Sequence, residues 1–148
     1  MEIIFVSGQP VGGKISNFLL EKSRVVTQNA MERNFHIFYQ LITGLQKNLR
    51  DDLGITEADY YHYLNMHGCY KIDGTDDKAD CDELVEAMET IGFNEEQKFD
   101  LFALVFGILH LGNVLFTEGK NDESDVQVDA SKYQLHTARF STFFSDLL

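Results

Sequence analysis

The sequence predicts an α+β protein: a mostly helical body behind an N-terminal β-hairpin. Three observations carry this. Met1 to Val6 is a short run dense in Ile, Phe and Val. Ser7 to Gly13 follows with three glycines and the chain's one proline, which is turn chemistry. From Ala30 onward, apolar residues recur at the three-four spacing of amphipathic helices.

Taken in order, Met1 to Val6 reads as a strand. Ile15 to Val26 is open to two readings. Ile15, Phe18, Leu19, Val25 and Val26 fit a helical stripe, while the β-branched ends and the preceding glycines fit the second arm of a hairpin. Ala30 to Thr43 places Phe35, Phe38, Tyr39 and Ile42 on one helical face, with Gly44 as the stop. Lys47 to Leu53 is a shorter helix ended by Gly54. Thr56 and Asp59 form a weak capping box for Ala58 to Leu64. Cys69 to Ile72 is a short strand or extended piece. Asp80 is the expected cap of a helix running to Ile91. Asn94 and Gln97 form a better box, opening a helix that carries Phe99, Phe102, Ala103, Phe106 and Leu109 to a stop at Gly112. Val114 to Thr117 and Val126 to Val128 read as short strands around a polar loop. Arg139 to Leu148 puts five large apolar side chains on one helical face.

A chain of 148 residues suits one domain and buries a real core. Hydrophobic content of 44% and charged content of 24% are those of a globular protein, with twelve Phe and six Tyr as core material. The 24 acidic residues against 12 basic ones give a net charge of -12, which repels phosphate backbones and anionic lipid. Nucleic acid and membrane surfaces are therefore not expected partners. Ten acidic residues, offset only by Lys78, lie between Asp73 and Glu96; a solvated helix face and its leading loop account for them. Cys69 and Cys81 have neither zinc nor redox-pair spacing. The opening run is too short for a signal peptide, and Leu101 to Phe116 is too interrupted to span a bilayer.

Three stretches suggest chemistry. G-Q-P-V-G-G-K-I-S, Gly8 to Ser16, has the outline of a phosphate-binding loop. Such a loop needs Ser or Thr directly after the lysine to hold magnesium, and Ile15 stands there. Pro10 also lacks an N–H where a phosphate would be cradled. A hairpin connection is the better reading. Asp73 to Leu84 matches a calcium loop in acid density only, since Lys78 and Leu84 stand where glycine and glutamate are required. His62 and His67 are five apart, not the four of a helical metal pair, and His110 suits a packing role. No catalytic residue emerges from the residues alone.

Larger signatures do emerge. L-L-E-K-S-R-V-V (Leu19 to Val26), E-R-N-F-H-I-F-Y-Q-L (Glu32 to Leu41) and I-L-H-L-G-N-V-L-F (Ile108 to Phe116) occur in an order and at separations that resemble the myosin motor domain. Tyr63 to Asn65, Asp73 to Asp77 and Ala87 to Phe93 are similar to the same family's upper 50-kDa region. The resemblance covers about residues 1 to 128, and G-Q-P-V-G-G-K-I-S-N is most similar to class I myosins.

The resemblance implies a segment of an actin-based, ATP-driven motor, itself part of a larger α/β P-loop NTPase-type fold. Residues 1–26 would be transducer strands, with Ile15 to Val26 as the second strand. Residues 27–128 would be upper 50-kDa helices and 129–148 a divergent tail. Glu21, Lys22, Ser23 and Arg24 would lie on the transducer strand and couple it to neighbouring elements. Phe35, His36, Phe38, Tyr39, Phe102, Phe106 and Leu109 would be core. The family binds ATP with G-E-S-G-A-G-K-T and two switch motifs, none of which occurs here. No catalytic, metal or ATP-binding residue is therefore assigned, and the chain alone is expected to be inactive. MgATP would belong to the parent ATPase. F-actin and the remaining head segments would be its partners, and the actin cytoskeleton of the cytoplasm its location. The alternative is a free-standing acidic interaction module that uses an open sheet edge.

Overall fold

A computed structural model describes residues 2–16, 21, 23–118 and 124–126. Two strands open it: β1 (Glu2–Val6) and β2 (Gln9–Lys14), paired antiparallel. The connection is two residues long. Ser7 and Gly8, at φ 51° and 80°, have the paired positive angles of a type I′ turn, whose twist matches that of the flanking strands. This corrects the expected connection. Most of G-Q-P-V-G-G-K is not loop but the second arm. Pro10 is tolerated there because the register shifts beside it: Ile4 faces Gly12 while Phe5 faces Pro10, leaving Val11 as the extra residue of a bulge.

The second strand expected over Ile15 to Val26 is corrected as well. The pairing ends at Lys14, and Ser23–Val26 forms a single helical turn, α1. Its last carbonyls are covered by local side chains. Thr27 Oγ1 donates to the Ser23 carbonyl at 3.2 Å, and Gln28 Nε2 to the Arg24 carbonyl at 2.6 Å. Residues 17–20 and Lys22 lie outside the described residues.

The body holds α2 (His36–Gly44), α3 (Lys47–Leu53), a 3₁₀ turn (Ala58–Tyr60), α4 (His62–Asn65), α5 (Asp77–Thr90) and α6 (Glu95–Gly112). A second hairpin pairs β3 (Phe116–Glu118) with β4 (Ser124–Val126). The α+β reading holds. Local chemistry sets the ends. Asn94 and Gln97 form the expected capping box of α6, a device worth about 1 kcal/mol. Gly54, at φ 63°, ends α3. Asp76, not Asp80, caps α5: its Oδ1 accepts from the N–H groups of Lys78 and Ala79, both at 3.1 Å, which leaves Asp80 inside the first turn. No capping box forms at Thr56, whose N–H instead donates to the Tyr61 hydroxyl at 3.2 Å. Cys69 to Ile72 carries no strand pairing.

The core lies among α2, α3, α4, α5 and α6, with Leu41, Tyr61, Phe106 and Leu109 at its centre. Burying each such side chain contributes about 1.5–3 kcal/mol. Phe38, Tyr39, Phe102, Phe106 and Leu109 are buried as expected, and Phe35 packs at the margin. His36 is exposed, a correction: as the first residue of α2 it points away from the stripe that starts at Phe38. Gly44 does more than stop its helix. A Cβ there would overlap the Cβ of Cys81, so glycine lets α2 and α5 approach closely. No helix among the described residues is long and apolar enough to cross a membrane.

Candidate functional site

The segment 21–34 links the N-terminal part to the helical body. Glu21 Oε1 meets Arg24 Nε at 3.1 Å, one turn apart and both solvent-accessible. Such a pair is worth about 0–1 kcal/mol. Of the four expected coupling residues, the structure brings Glu21 and Arg24 together. Ser23 contributes its carbonyl to Thr27 N–H and hydroxyl, and Lys22 lies outside the described residues.

Stronger contacts come from residues that periodicity overlooks. Asn34 is fully buried and uses its whole amide. Its Nδ2 donates to the carbonyls of Val25 and Tyr63, each at 2.9 Å, and its Oδ1 accepts from Phe35 N–H at 2.8 Å. Its backbone N–H donates to the Tyr39 hydroxyl at 3.1 Å. One side chain thus joins α1, the start of α2 and α4. Burial pushes the Tyr39 phenol up, with the Asn34 N–H pulling against it.

Arg33 is also buried. Its guanidinium reaches Asp77 at the start of α5 through two parallel bonds of 2.7 and 2.8 Å, donates to the Tyr70 carbonyl at 3.3 Å, and lies 4.6 Å from the centre of the Tyr39 ring. Bidentate geometry of this kind is the strong form of an ion pair. Asp77 also sits where the α5 dipole favours an anion.

The contacts continue around the body. Lys98 of α6, only 4% exposed, holds Glu89 of α5 at 2.8 Å and Glu95 at 2.6 Å. Buried Asn113, directly after α6, accepts from His62 N–H at 2.7 Å and donates to the Tyr60 carbonyl at 2.9 Å. Gly112 lets the Tyr63 ring lie against the end of α6; a Cβ would stand 2.5 Å from it. Tyr63 returns the path to Asn34. The polar contacts therefore close a ring through α2, α5, α6 and α4, with α1 attached at Val25. His110, the packing histidine, is buried with its ring edge-on to Tyr61.

Gly8 to Lys14 forms no anion cradle. Gly8 is in the turn, and Gln9–Lys14 pair with β1 rather than opening a helix. The residues present do not fit a nucleotide phosphate.

Three of the ring's four buried polar residues fall in two of the stretches that carry the resemblance: Arg33 and Asn34 in E-R-N-F-H, Asn113 in L-G-N-V, with Lys98 outside them. The profile of the family described as "Myosin head (motor domain)" matches residues 1–144. The chain belongs to the myosin head family. It is 43% identical over 133 residues to the myosin ID heavy chain of Dictyostelium discoideum, a match covering 89% of this chain and 12% of the relative. It is 45% identical over 139 residues to the myosin IC heavy chain of Acanthamoeba castellanii, covering 93% and 12%. It is 44% identical over 124 residues to human unconventional myosin-XV, covering 83% and 4%. The chain thus spans about an eighth or less of these myosin heavy chains, and two of the three are class I by name. Nothing in these matches supports the alternative of a free-standing acidic module.

The residues that bond across elements were the hardest to read from the sequence. Arg33, Asn34, Lys98 and Asn113 interrupt or flank apolar stripes, and that is their only local mark.

Proposed function

We propose that this chain is the transmission segment of an actin-based, ATP-driven motor, in which MgATP and F-actin bind to other parts of the head. The match of the myosin head family across residues 1–144 carries this reading. The hairpin β1–β2 supports it physically. Ile3, Ile4, Phe5, Val6 and Val11 are all about half exposed, and a lone two-stranded hairpin is marginal in water. It is suited to continue a larger sheet of the α/β P-loop NTPase type. In this reading residues 1–26 belong to the transducer, with the strand pairing confined to 2–14, residues 27–128 are upper 50-kDa helices and 129–148 are a divergent tail, in a protein of the cytoplasmic actin cytoskeleton.

The chain's own role is mechanical. A twist of the sheet displaces α1, and Asn34 passes that displacement to α2 and α4 through one rigid amide. Arg33 and Asp77 carry it to α5. Coupling of this kind needs contiguous contacts with discrete arrangements, which buried bidentate and amide pairs supply.

The test has two arms. The 148-residue chain should show no saturable binding of a fluorescent ATP analogue in the micromolar range. A head-length chain carrying this sequence should hydrolyse ATP faster with F-actin, and Asn34→Ala should lower the actin-stimulated rate while leaving nucleotide affinity unchanged. Saturable nucleotide binding by the short chain, or no actin stimulation of the long one, overturns the reading.

A further inference from the structure

The Arg33 guanidinium is engaged along only part of its rim. Nη1 donates to Asp77 Oδ2 at 2.7 Å and to the Tyr70 carbonyl at 3.3 Å, and Nη2 donates to Asp77 Oδ1 at 2.8 Å. Nε finds no acceptor among the described residues, although it is closed off from solvent and the whole residue is only 2% exposed. A buried N–H without a partner is rare in a folded protein, because the group has given up its water for nothing. This one sits beside a carboxylate already bound to the same guanidinium, one edge away.

A guanidinium has two edges that take a carboxylate through paired bonds: the end, Nη1 with Nη2, and the side, Nη2 with Nε. Asp77 occupies the end edge. The side edge offers it the same two parallel bonds. To change edges, Oδ1 passes from one Nη2 hydrogen to the other, and Oδ2 passes from Nη1 to Nε. Nη1 keeps the Tyr70 carbonyl. Either position makes three hydrogen bonds and pairs the two charges, so the two lie close in free energy. The guanidinium lies over the Tyr39 ring, with Cζ 4.6 Å from its centre. It can turn in its own plane there and keep the cation–π contact.

We infer that Arg33 and Asp77 form a two-position clasp, in which Asp77 exchanges between the end and the side of the guanidinium and the start of α5 shifts with it. The Nη2 bond is kept by both positions, so α5 moves relative to Arg33 without the body coming apart. A coupling element needs two discrete arrangements of one contact, and the two edges of the fork supply them. The mechanical use of the clasp rests on the transmission reading. The exchange itself belongs to this chain and stands or falls without that reading.

The test is NMR relaxation dispersion on the isotope-labelled full chain, read at Arg33 Nε and at the backbone amides. Nε should show exchange on the microsecond-to-millisecond scale, and the amides of Asp77, Lys78 and Ala79 should show it at the same rate. Arg33→Lys keeps the charge on a single nitrogen and has no second edge, so it should abolish the exchange at those amides. If that variant does not fold, the Nε profile of the parent chain decides alone. A flat profile at Nε overturns the inference. An upfield Nε proton would then assign the N–H to the face of the Tyr39 ring, and a cross-peak to long-lived water would assign it to a buried solvent molecule. Exchange at the start of α5 that persists in Arg33→Lys overturns it too. None of these results touches nucleotide binding or actin stimulation, so failure of the clasp is distinguishable from failure of the motor reading.

Discussion

Arg33 and Asp77 stand 44 residues apart in sequence, yet both terminal guanidinium nitrogens meet both carboxylate oxygens, at 2.7 and 2.8 Å. The arginine side chain is inaccessible to solvent and the aspartate nearly so. Asp77→Asn should therefore lower stability by about 3–5 kcal/mol, because it strands a buried positive charge. Replacing both partners with apolar residues, Arg33→Met with Asp77→Leu, should recover much of that loss. Urea unfolding midpoints decide it. A midpoint for Asp77→Asn within error of the parent would mean the pair is solvated.

Gly44→Ala should destabilise by about 1–3 kcal/mol although alanine is the better helix former. The added Cβ meets Cys81 Cβ and stands 2.7 Å from its Sγ. Cys81→Ala should not rescue it, since the opposing Cβ remains. A thermal melt of Gly44→Ala at or above the parent midpoint would contradict the close approach of α2 and α5.

Met31 holds φ at 69° while 90% exposed, a left-handed conformation that side chains rarely adopt. Met31→Gly should gain about 0.5–1 kcal/mol, the relief of strain less the greater chain entropy of glycine. Differential scanning calorimetry should show a raised midpoint; a lowered one rejects the strain.

Stability should fall on the alkaline side. Burial raises the Tyr39 and Tyr61 phenols and the Cys81 thiol above their ordinary values. As pH passes about 8.5 for cysteine and about 10 for tyrosine, the unfolded chain releases protons that the folded chain keeps. The slope of stability with pH is then negative. The contribution is fully present below the unfolded values and is lost as pH rises through the folded ones. Tyr61→Phe should flatten part of that slope, and also weaken the fold at neutral pH by depriving Thr56 N–H of its acceptor. Urea titrations from pH 7 to 11 test both effects.

The helices were legible where a stripe and a cap coincide. N-E-E-Q followed by Phe99, Phe102 and Phe106 fixes α6 to within a residue or two, because the box satisfies two N–H groups and the stripe has one core to face. The hairpin was legible as a hairpin but not in register. Pro10, Gly12 and Gly13 look like loop, and only the bulge at Val11 explains how they sit in a strand. Helix α2 was expected six residues early, because Asn34 and Arg33 leave the helical path to serve partners at Val25, Tyr63 and Asp77. The ring was illegible for the same reason. Apart from Lys98 with Glu89, nine positions apart, the bonds that join its helices link residues 29 to 53 positions apart, and spacing rules reach about four.

Those long separations give the molecule two clocks. The Ser7–Gly8 turn closes β1 on β2 from neighbouring residues, so that arm can form and dissolve within microseconds. Asn34 with Tyr63, Arg33 with Asp77 and Asn113 with Tyr60 each enclose a long loop and form only once the helices between them are in place. Opening any one of them requires the helices it joins to part. The fast arm can therefore open and close many times while the slow body keeps its shape.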